Sequence, residues 1–181
     1  MLTKVAERLW VGDEADCKIA RSTQRMFGAW GGIVHACKFP CHAEAVGYDG
    51  KAKLEKEHPE YIAAERPGSL YLNIIDPPVP LFRVESFTRA LDYIDAHRAA
   101  GEQGVLVHCN QGQSRAPSIA LLWLAKRGRA LPGESFAAAR DAFVGTVPRD
   151  IWSEAGTLVF PDYRPGAGIE AFLTERWDEI A

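Results

Sequence analysis

Short apolar runs separated by polar turns recur through the first two thirds of the chain. They are rich in β-branched residues, as strands buried on both faces usually are. They lie within residues 3–11, 31–36, 70–75 and 105–107, and glycine or proline follows or precedes most of them. Because such punctuation ends strands, we expect four strand regions in a buried sheet.

The remaining apolar residues recur with the helical period. Val84, Phe87, Leu91 and Ile94 form one stripe, which predicts an amphipathic helix over residues 81–100. Residues 118–127 are apolar on nearly every side before Gly128, and they predict a buried helix. Two more helices are expected, marked by Phe136, Arg140 and Phe143 and by Ile169, Phe172, Leu173 and Trp177, with Trp152 and Phe160 packed between them.

Strands that alternate with helices predict an α/β fold. The helix over residues 81–100 joins the strand regions 70–75 and 105–107, which predicts a right-handed crossover between parallel strands. Asp13 is the expected N-cap of a first helix. We therefore expect one domain over residues 1–181, with a central parallel or mixed sheet flanked by helices and the functional residues at the carboxyl edge of the strands.

Residues 37–69 show no clear periodicity and contain several glycines and prolines with a charged run. They predict an inserted long loop, with a short helix near residues 55–64 as an alternative. Long loops in compact domains are often functional, so this loop could select the substrate or could be a solvated excursion without a role.

Composition excludes several classes of protein. The formal net charge of −3 argues against a polybasic surface for nucleic acid or membranes. Of the 181 residues 47% are hydrophobic, which is enough to build the core of one domain. The apolar runs are too short to span a bilayer, and residues 1–12 lack the apolar core of a signal peptide. The four cysteines have irregular spacing, so we expect a reduced, cytoplasmic protein without a disulfide framework. Nothing in the sequence indicates an oligomeric state.

Candidate chemistry lies in the polar loop between the strand at 105–107 and the buried helix. If residues 110–115 curl, their backbone N–H groups and the helix N-terminus converge on a site for a tetrahedral anion such as phosphate. Arg115 would close the ring with its planar guanidinium. The same environment favours the thiolate of Cys109, a strong nucleophile toward a phosphoester.

The residues from His108 to Arg115, HCNQGQSR, resemble the HCxxGxxR loop of the cysteine-based protein tyrosine phosphatases, and the HCxxGxSR form resembles the dual-specificity branch. Residues 9–16 resemble the opening segment of the same branch. The resemblance implies the dual-specificity phosphatase fold. It also implies removal of phosphate from phosphotyrosine, and from phosphoserine or phosphothreonine as further substrates, through a phosphocysteine intermediate.

The resemblance implies a role for each site residue. Cys109 is the nucleophile, Arg115 holds the phosphate, and His108 orients the cysteine loop. Asp76, which follows the strand at 70–75, matches the general acid. Substrate binding falls to Asn110, Gln111, Gly112, Gln113, Ser114 and Arg115. No cofactor and no metal ion is expected, because the cradle itself supplies the positive potential.

Two details qualify these roles. Asp92 and Asp95 are alternative acids, although the helical pattern places them on the polar face of a helix instead of a strand end. The family usually has serine or threonine directly after the arginine, and this chain has Ala116. The missing hydroxyl predicts a slower second step and a less favoured thiolate, and we do not assign its role to Ser114.

Residues 35–42 contain His35, Cys37, Cys41 and His42. Their spacing is unlike the two separated pairs of most structural zinc sites, so we do not expect a zinc site there. Cys37 follows its strand as Cys109 follows another, which predicts that Cys37 or Cys41 forms a disulfide with Cys109 under oxidation. Lys38 at the same edge could contact a substrate phosphate or could be a solvated lysine.

Three functions remain open at this point. The first is a phosphatase for phosphorylated proteins or peptides. The second is a phosphatase for a non-protein substrate, such as a phosphoinositide, an RNA 5′ end or a phosphosugar. The third is a catalytically weak phosphate-binding module, which Ala116 alone suggests.

Overall fold

The computed structural model describes residues 2–49, 54–145, 160 and 162–180. Within these residues, one sheet of six strands forms the centre of the molecule. The strands are β1 Thr3–Ala6, β2 Leu9–Gly12, β3 Gly32–His35, β4 Ala63–Arg66, β5 Ser69–Leu72 and β6 Val105–His108.

The sheet has the strand order β1-β2-β6-β3-β5-β4. The four inner strands β2, β6, β3 and β5 run parallel, and β1 and β4 pair antiparallel at the two edges. The expected α/β fold with a mixed sheet is therefore confirmed. In the register of the parallel strands, Gly12 and His35 flank His108, so the ends of three strands meet at one edge.

Six helices cover the sheet in the described part of the chain. They are α1 Glu14–Phe27, α2 Ala43–Val46, α3 Val84–His97, α4 Arg115–Lys126, α5 Phe136–Val144 and α6 Ala167–Arg176, with a 3-10 turn Trp177–Glu179 after α6. The predicted N-cap is confirmed, because the Asp13 side chain accepts from Asp16 N at 3.0 Å. No helix in the described ranges is long and apolar enough to cross a membrane.

Successive residues of β6 face opposite sides of the sheet. Val105 and Val107 join the large core formed with α3, α4, α5 and α6, whereas Leu106 packs with Ile33 and Ala20 under α1. Helix α4 lies in the middle of the larger layer, and ten of its residues, from Ala116 to Ala125, are buried. The prediction of a helix buried on all sides is confirmed, although α4 begins three residues earlier than the sequence indicated.

Other expected boundaries differ for physical reasons. Helix α3 starts at Val84 and ends at His97, inside the predicted range 81–100, because the preceding residues belong to an extended loop after β5. β5 ends at Leu72 because its partner β4 spans only four residues. Phe160 is buried and stacks on Phe143, with 5.6 Å between ring centroids. Trp152 lies outside the described residues.

The segment predicted to be a long loop contains regular structure. After β3, the chain forms an irregular helical turn Lys38–His42 and the short helix α2, and it later forms the edge strand β4. The alternative of a helix near residues 55–64 is wrong, because residues 56–62 are turns and bends. β4 escaped prediction because its sequence, Ala-Ala-Glu-Arg, carries no β-branched residue and owes its strand state to pairing with β5.

Candidate active site

The loop of residues 109–114 links the end of β6 to the start of α4 and is curled. Residues 110–114 are consecutive bends, and Gly112 has a φ of 71°. A Cβ at Gly112 would lie 3.1 Å from Gly12 O and 3.3 Å from Asp13 N. Only glycine combines this backbone conformation with so close an approach, so Gly112 lets the loop turn tightly against the end of β2.

Arg115 closes the curled loop. Its Nη2 donates to Asn110 Oδ1 at 2.7 Å, and its Nη1 donates to Ile74 O at 3.4 Å. Its Nε is buried and has no hydrogen-bond partner among the described residues. A buried N–H without a partner is costly, so this donor is suited to an anion oxygen that completes its hydrogen bonding.

Cys109 and the rim of the loop differ in exposure. Cys109 is 1% exposed, while Gln111 and Gln113 are exposed to solvent. Cys109 N donates to Gly12 O at 3.4 Å, which holds the first residue of the loop against β2. The nucleophile candidate is therefore recessed beneath a polar rim, and a substrate phosphate would have to enter the loop to reach it.

The N-terminus of α1 supports the same loop. Glu14 N donates to Asn110 O at 3.3 Å. Asp13 and Asp16 cap each other's backbone N–H groups at 3.0 Å, which fixes the first turn of α1 beside the loop. Two helix starts, those of α1 and α4, therefore border the candidate anion site and add positive potential to it.

The chain before α6 closes the opposite side of the loop. Gly166 N donates to Ser114 Oγ at 3.0 Å, and Arg164 N donates to Gln113 O at 2.8 Å. The Ser114 hydroxyl thus accepts a hydrogen bond from the N-cap residue of α6. Sequence analysis missed this segment, although its glycines, Gly166 and Gly168, are a signal of close backbone approach.

Two hydroxyls behind the loop reinforce this contact. Ser118 Oγ donates to Ser114 O at 2.8 Å, and Tyr163 OH lies 2.8 Å from Ser118 Oγ. Because Ser118 has given its single proton to Ser114, Tyr163 donates to Ser118. Burial raises the pKa of Tyr163, so its phenol keeps the proton that this chain of hydrogen bonds requires.

Asp76 lies against the start of α6. A Cβ added at Gly166 would overlap the Asp76 carboxyl group, and one added at Gly168 would overlap the carbonyls of Pro77 and Val79. Asp76 is exposed. The structure therefore places the predicted acid beside Gly166, whose N–H holds Ser114, on the α6 side of the loop.

The alternative acids have other partners. Asp92 and Asp95 accept from Arg127 at 2.8 and 2.9 Å, and Asp95 also accepts from Trp123 Nε1 at 2.8 Å. These contacts tie α3 to α4. Both carboxylates therefore serve the packing of two helices.

His108 belongs to a buried pair of histidines. His108 Nε2 lies 2.7 Å from His35 Nδ1, and His35 Nε2 lies 3.4 Å from Ser69 Oγ. Burial lowers the pKa of His108 to about 4 and holds the pKa of His35 well below its ordinary range, so both rings are neutral at pH 7. The pairing follows from the register, which sets the last residues of β3 and β6 side by side.

Cys37 and Cys41 form a disulfide with each other, and their Cα atoms are 5.8 Å apart. Cys109 and Cys17 are free. The prediction that Cys37 or Cys41 pairs with Cys109 is therefore wrong, and so is the expectation that all four cysteines are reduced. The turn after β3 brings Cys41 back to Cys37, a local geometry that sequence spacing did not indicate.

His42 is not part of a histidine and cysteine cluster. Its Nε2 donates to Glu60 O at 2.8 Å, and its Nδ1 accepts from Tyr48 OH at 2.9 Å. The four residues His35, Cys37, Cys41 and His42 are thus not brought together by one set of contacts. Both ring nitrogens of His42 are hydrogen-bonded to groups outside that set.

The turn that carries the disulfide forms another wall of the site. Asn110 Nδ2 donates to Phe39 O at 3.2 Å, and Lys38 N donates to Ile74 O at 2.8 Å. Ile74 O also accepts from Arg115, so the turn and the arginine share one acceptor. The Lys38 ammonium lies 5.1 Å from the centre of the Phe39 ring.

No protein-family model and no curated protein sequence matches the chain. Solved structures match it. Human DUSP28 gives a TM-score of 0.56 at 17% sequence identity, covering 98% of this chain and 93% of that chain. The human tyrosine phosphatase-like serine/threonine/tyrosine-interacting protein gives 0.57 at 19% identity, covering 98% of this chain and 96% of that chain.

A third structure is the Yvh1 phosphatase domain from Chaetomium thermophilum. It gives a TM-score of 0.57 at 19% identity, and the match covers 99% of this chain and 96% of that chain. The similarity thus extends over almost the full length on both sides. The chain has the fold of the dual-specificity phosphatases.

Proposed function

We propose that this chain is a cysteine-dependent phosphatase for phosphorylated proteins, acting on phosphotyrosine and also on phosphoserine and phosphothreonine. The observation that carries the proposal is the state of Arg115. This residue closes the loop onto Asn110 while its buried Nε has no partner among the described residues. A phosphate oxygen bound in the loop that begins at Cys109 would satisfy that donor.

The proposed reaction has two steps. Cys109 Sγ attacks phosphorus in line, the bond from phosphorus to the leaving oxygen breaks, and Asp76 gives that oxygen a proton. Water then attacks the phosphocysteine, gives a proton to Asp76 and releases inorganic phosphate with the thiolate. Arg115 and the loop N–H groups hold the equatorial oxygens in both steps.

The surroundings of Asp76 and His108 support these roles. Asp76 is exposed and lies beside the segment that holds Ser114, so it can reach a leaving group at the rim of the loop. His108 is neutral and fully buried, so we assign it the positioning of the cysteine loop rather than charge stabilisation. The mechanism requires no metal ion or cofactor at the phosphate.

The loop side chains favour a substrate with a single phosphate. Asn110, Gln111 and Gln113 bring no cation that would neutralise additional phosphates. This composition disfavours polyphosphorylated inositides and is compatible with a phosphorylated side chain. RNA 5′ ends and phosphosugars are comparison substrates in the experiment below.

A second candidate function is a phosphate-binding module with weak catalysis. Ala116 favours it, because this residue is fully buried at the start of α4 and has no hydroxyl to stabilise a leaving thiolate. Binding would then rely on the same loop and on Arg115. Both candidate functions predict that the loop binds phosphate, but only the phosphatase predicts rapid turnover of a phosphorylated substrate.

One panel of assays separates the candidates. Wild type, Cys109→Ser and Arg115→Lys are tested on phosphotyrosine, phosphoserine and phosphothreonine peptides, phosphoinositides, phosphosugars and 5′-triphosphorylated RNA, and vanadate binding is measured in parallel. We expect wild type to hydrolyse the phosphopeptides and Cys109→Ser to be inactive. Arg115→Lys should lower kcat/KM by about 100-fold or more, because a point charge cannot replace the planar fork.

The contrary outcomes are distinct. Hydrolysis of no substrate, with vanadate binding retained, would favour the binding module. Hydrolysis of phosphoinositides or RNA in preference to every phosphopeptide would move the proposal to a non-protein substrate. Activity retained in Cys109→Ser would contradict both the nucleophile and the mechanism.

A further inference from the structure

Sulfur and nitrogen ligands cluster behind the candidate active site. The side chains of Cys37, Cys41 and His108 each place one ligand atom so that all three atoms lie within 4.8 Å of one another. All three residues are buried. The proposed phosphatase mechanism uses neither of the two sulfurs in this cluster, and it gives His108 only the positioning of the cysteine loop.

The fold holds these ligands from two neighbouring strands. Cys37 follows β3, Cys41 lies in the turn after it, and His108 ends β6, which pairs directly with β3. Ala36 N donates to His108 O at 2.8 Å, which ties the two chain segments together. The pairing of β3 with β6 therefore brings the two cysteines to His108, which is far from them in sequence.

The distances suit a small tetrahedral ion. Cys41 Sγ lies 4.0 Å from His108 Nε2. Zinc bonds of about 2.3 Å to sulfur and about 2.0 Å to nitrogen place a sulfur and a nitrogen ligand roughly 3.5 Å apart, so Cys41 Sγ and His108 Nε2 need to approach by about half an ångström. The two sulfurs, once reduced, need to move from bonding distance to roughly 3.8 Å apart. The Cys-x3-Cys spacing lies within the range of ligand pairs in structural zinc sites.

We propose that the reduced chain binds one Zn²⁺ through the sulfurs of Cys37 and Cys41 and Nε2 of His108. His35 Nδ1 is hydrogen-bonded to His108 Nε2 and belongs to the neighbouring trio with Cys17, so the fourth position is left to a water molecule. Two thiolates with imidazole favour zinc over magnesium or calcium, which prefer oxygen ligands. His42 lies outside this cluster, and its ring nitrogens bond to Tyr48 and Glu60.

The exchange between disulfide and zinc is chemically balanced. A dithiol reductant supplies two electrons and two protons, which cleave the bond between the sulfurs into two thiols and convert the reductant to its disulfide. Zn²⁺ then replaces the two thiol protons, which pass to water. Hydrogen peroxide reverses the change: it takes two electrons from the thiolates and two protons from water and is reduced to two water molecules, while the disulfide forms again and Zn²⁺ is released.

The site would stiffen the wall of the phosphate loop. The turn between the two cysteines supplies Phe39 O, which accepts from Asn110, and Lys38 N, which donates to the carbonyl shared with Arg115. Holding both ends of this turn keeps those contacts in place. The zinc site does not depend on the proposed phosphatase activity, and its test can fail or succeed independently.

Metal binding is tested on the full chain. Wild type is reduced under nitrogen and freed of reductant, ZnCl₂ is added against a chromophoric chelator, and CoCl₂ is added to a second sample. We expect one zinc ion per chain and, with cobalt, the intense thiolate charge-transfer band and the visible bands of tetrahedral coordination. The oxidised wild type, whose disulfide occupies both sulfurs, is the matched control and should bind neither ion at the same concentrations.

Variants locate the ion. Cys37→Ser and Cys41→Ser should each weaken zinc binding by about 100-fold or more, since losing a direct ligand costs at least as much as losing an outer partner. Cys109→Ser and Cys17→Ser should bind as wild type does. Cys17 is an informative control because Cys17, His35 and His108 form a second compact trio. Circular dichroism confirms that each variant is folded.

Three results would overturn the proposal. The first is equal cobalt spectra for reduced and oxidised wild type, which remains decisive even if the cysteine variants fail to fold. The second is loss of binding in Cys109→Ser with retention in Cys41→Ser, which would place the ion on the nucleophile. The third is loss of binding in Cys17→Ser alone, which would place it in the other trio.

Discussion

At the start of α4, two adjacent residues have opposite effects on the proposed chemistry. Arg115 turns its guanidinium into the loop and keeps a buried donor unpaired, which favours anion binding. Ala116 is fully buried and brings only a methyl group. In the proposed mechanism both steps would use the arginine, and the second step would also be favoured by a hydroxyl that this chain lacks at position 116.

The substitution Ala116→Ser tests that difference. A hydroxyl next to the loop should stabilise the thiolate as it leaves phosphorus, so we expect a several-fold rise in steady-state turnover. The burst of product in the first turnover should shrink, because less phosphocysteine accumulates. Rapid-mixing assays with an aryl phosphate measure both phases. Ala116→Gly, which adds no hydroxyl, is the control, and unchanged turnover and burst in Ala116→Ser would refute the prediction.

His108 makes stability depend on pH. In the unfolded chain its pKa is near 6.5, and in the folded chain burial lowers that pKa to about 4. Below about pH 6.5 the unfolded state therefore binds a proton that the folded state does not bind. Stability is complete above that pH and decreases as the pH falls, by up to about 3 kcal/mol near pH 4.

Urea unfolding at about pH 7.5 and at about pH 5 measures this loss. We expect a lower free energy of unfolding at about pH 5 in wild type and a smaller difference between the two pH values in His108→Gln. His35, buried beside His108, contributes in the same direction. Equal free energies at the two pH values in wild type would contradict a buried neutral pair.

At the scale of the element, the start of α6 positions the loop that carries Asp76. Gly166 and Gly168 leave room for that loop, because side chains at either position would overlap it. Gly166 also donates to Ser114, so a single turn of chain contacts both the loop that carries Asp76 and the loop of residues 109–114. The position of the acid therefore depends on an element far along the chain.

Gly166→Ala should displace Asp76. Its φ of −63° is compatible with alanine, so the effect comes from contact with the carboxyl group and leaves the backbone unstrained. We expect kcat to fall about 10-fold or more for phosphoserine peptides, whose leaving group needs a proton, and to fall less for p-nitrophenyl phosphate. Ala167→Ser at the neighbouring exposed position is the control. If kcat fell equally for both substrates, the effect of Gly166→Ala would not act through proton transfer by Asp76.

Elements with a strong internal pattern were predictable, and others were not. Helix α4 was predicted because its own apolar residues occur on nearly every face. The loop before it was predicted because its cysteine, glycine and arginine suit the binding of a phosphate. Strand β4 and the turn Lys38–His42 depend on contacts with β5 and β6 that no local pattern records. The disulfide between Cys37 and Cys41 falls in the same class, since it follows from the path of that turn.

At the scale of the whole molecule, the sheet separates two apolar layers, and α4 lies in the larger one. Leu122 is fully buried there. Leu122→Ala should lower the free energy of unfolding by about 2–5 kcal/mol, because it leaves a cavity in a packed layer. Leu81→Ala, at a site that is 73% exposed, should change it by less than about 0.5 kcal/mol.

Urea denaturation of both variants gives the two free energies. A loss for Leu122→Ala no larger than that for Leu81→Ala would show that α4 is not the centre of the core. The same experiment bears on the site, since α4 carries Arg115 at its first turn. A loosened helix should also weaken vanadate binding.

The sequence by itself determined the α/β class, the buried helix α4 and the loop from Cys109 to Arg115, because each depends on residues close together in the chain. Tertiary structure alone decided which distant residues join that loop. It brought Gly166 into contact with Ser114, His35 into contact with His108, and Cys41 close to His108. Such contacts form only after the strands have paired in their final order and the helices have packed. Both events depend on the free energy of packing the whole core, which no short stretch of sequence determines.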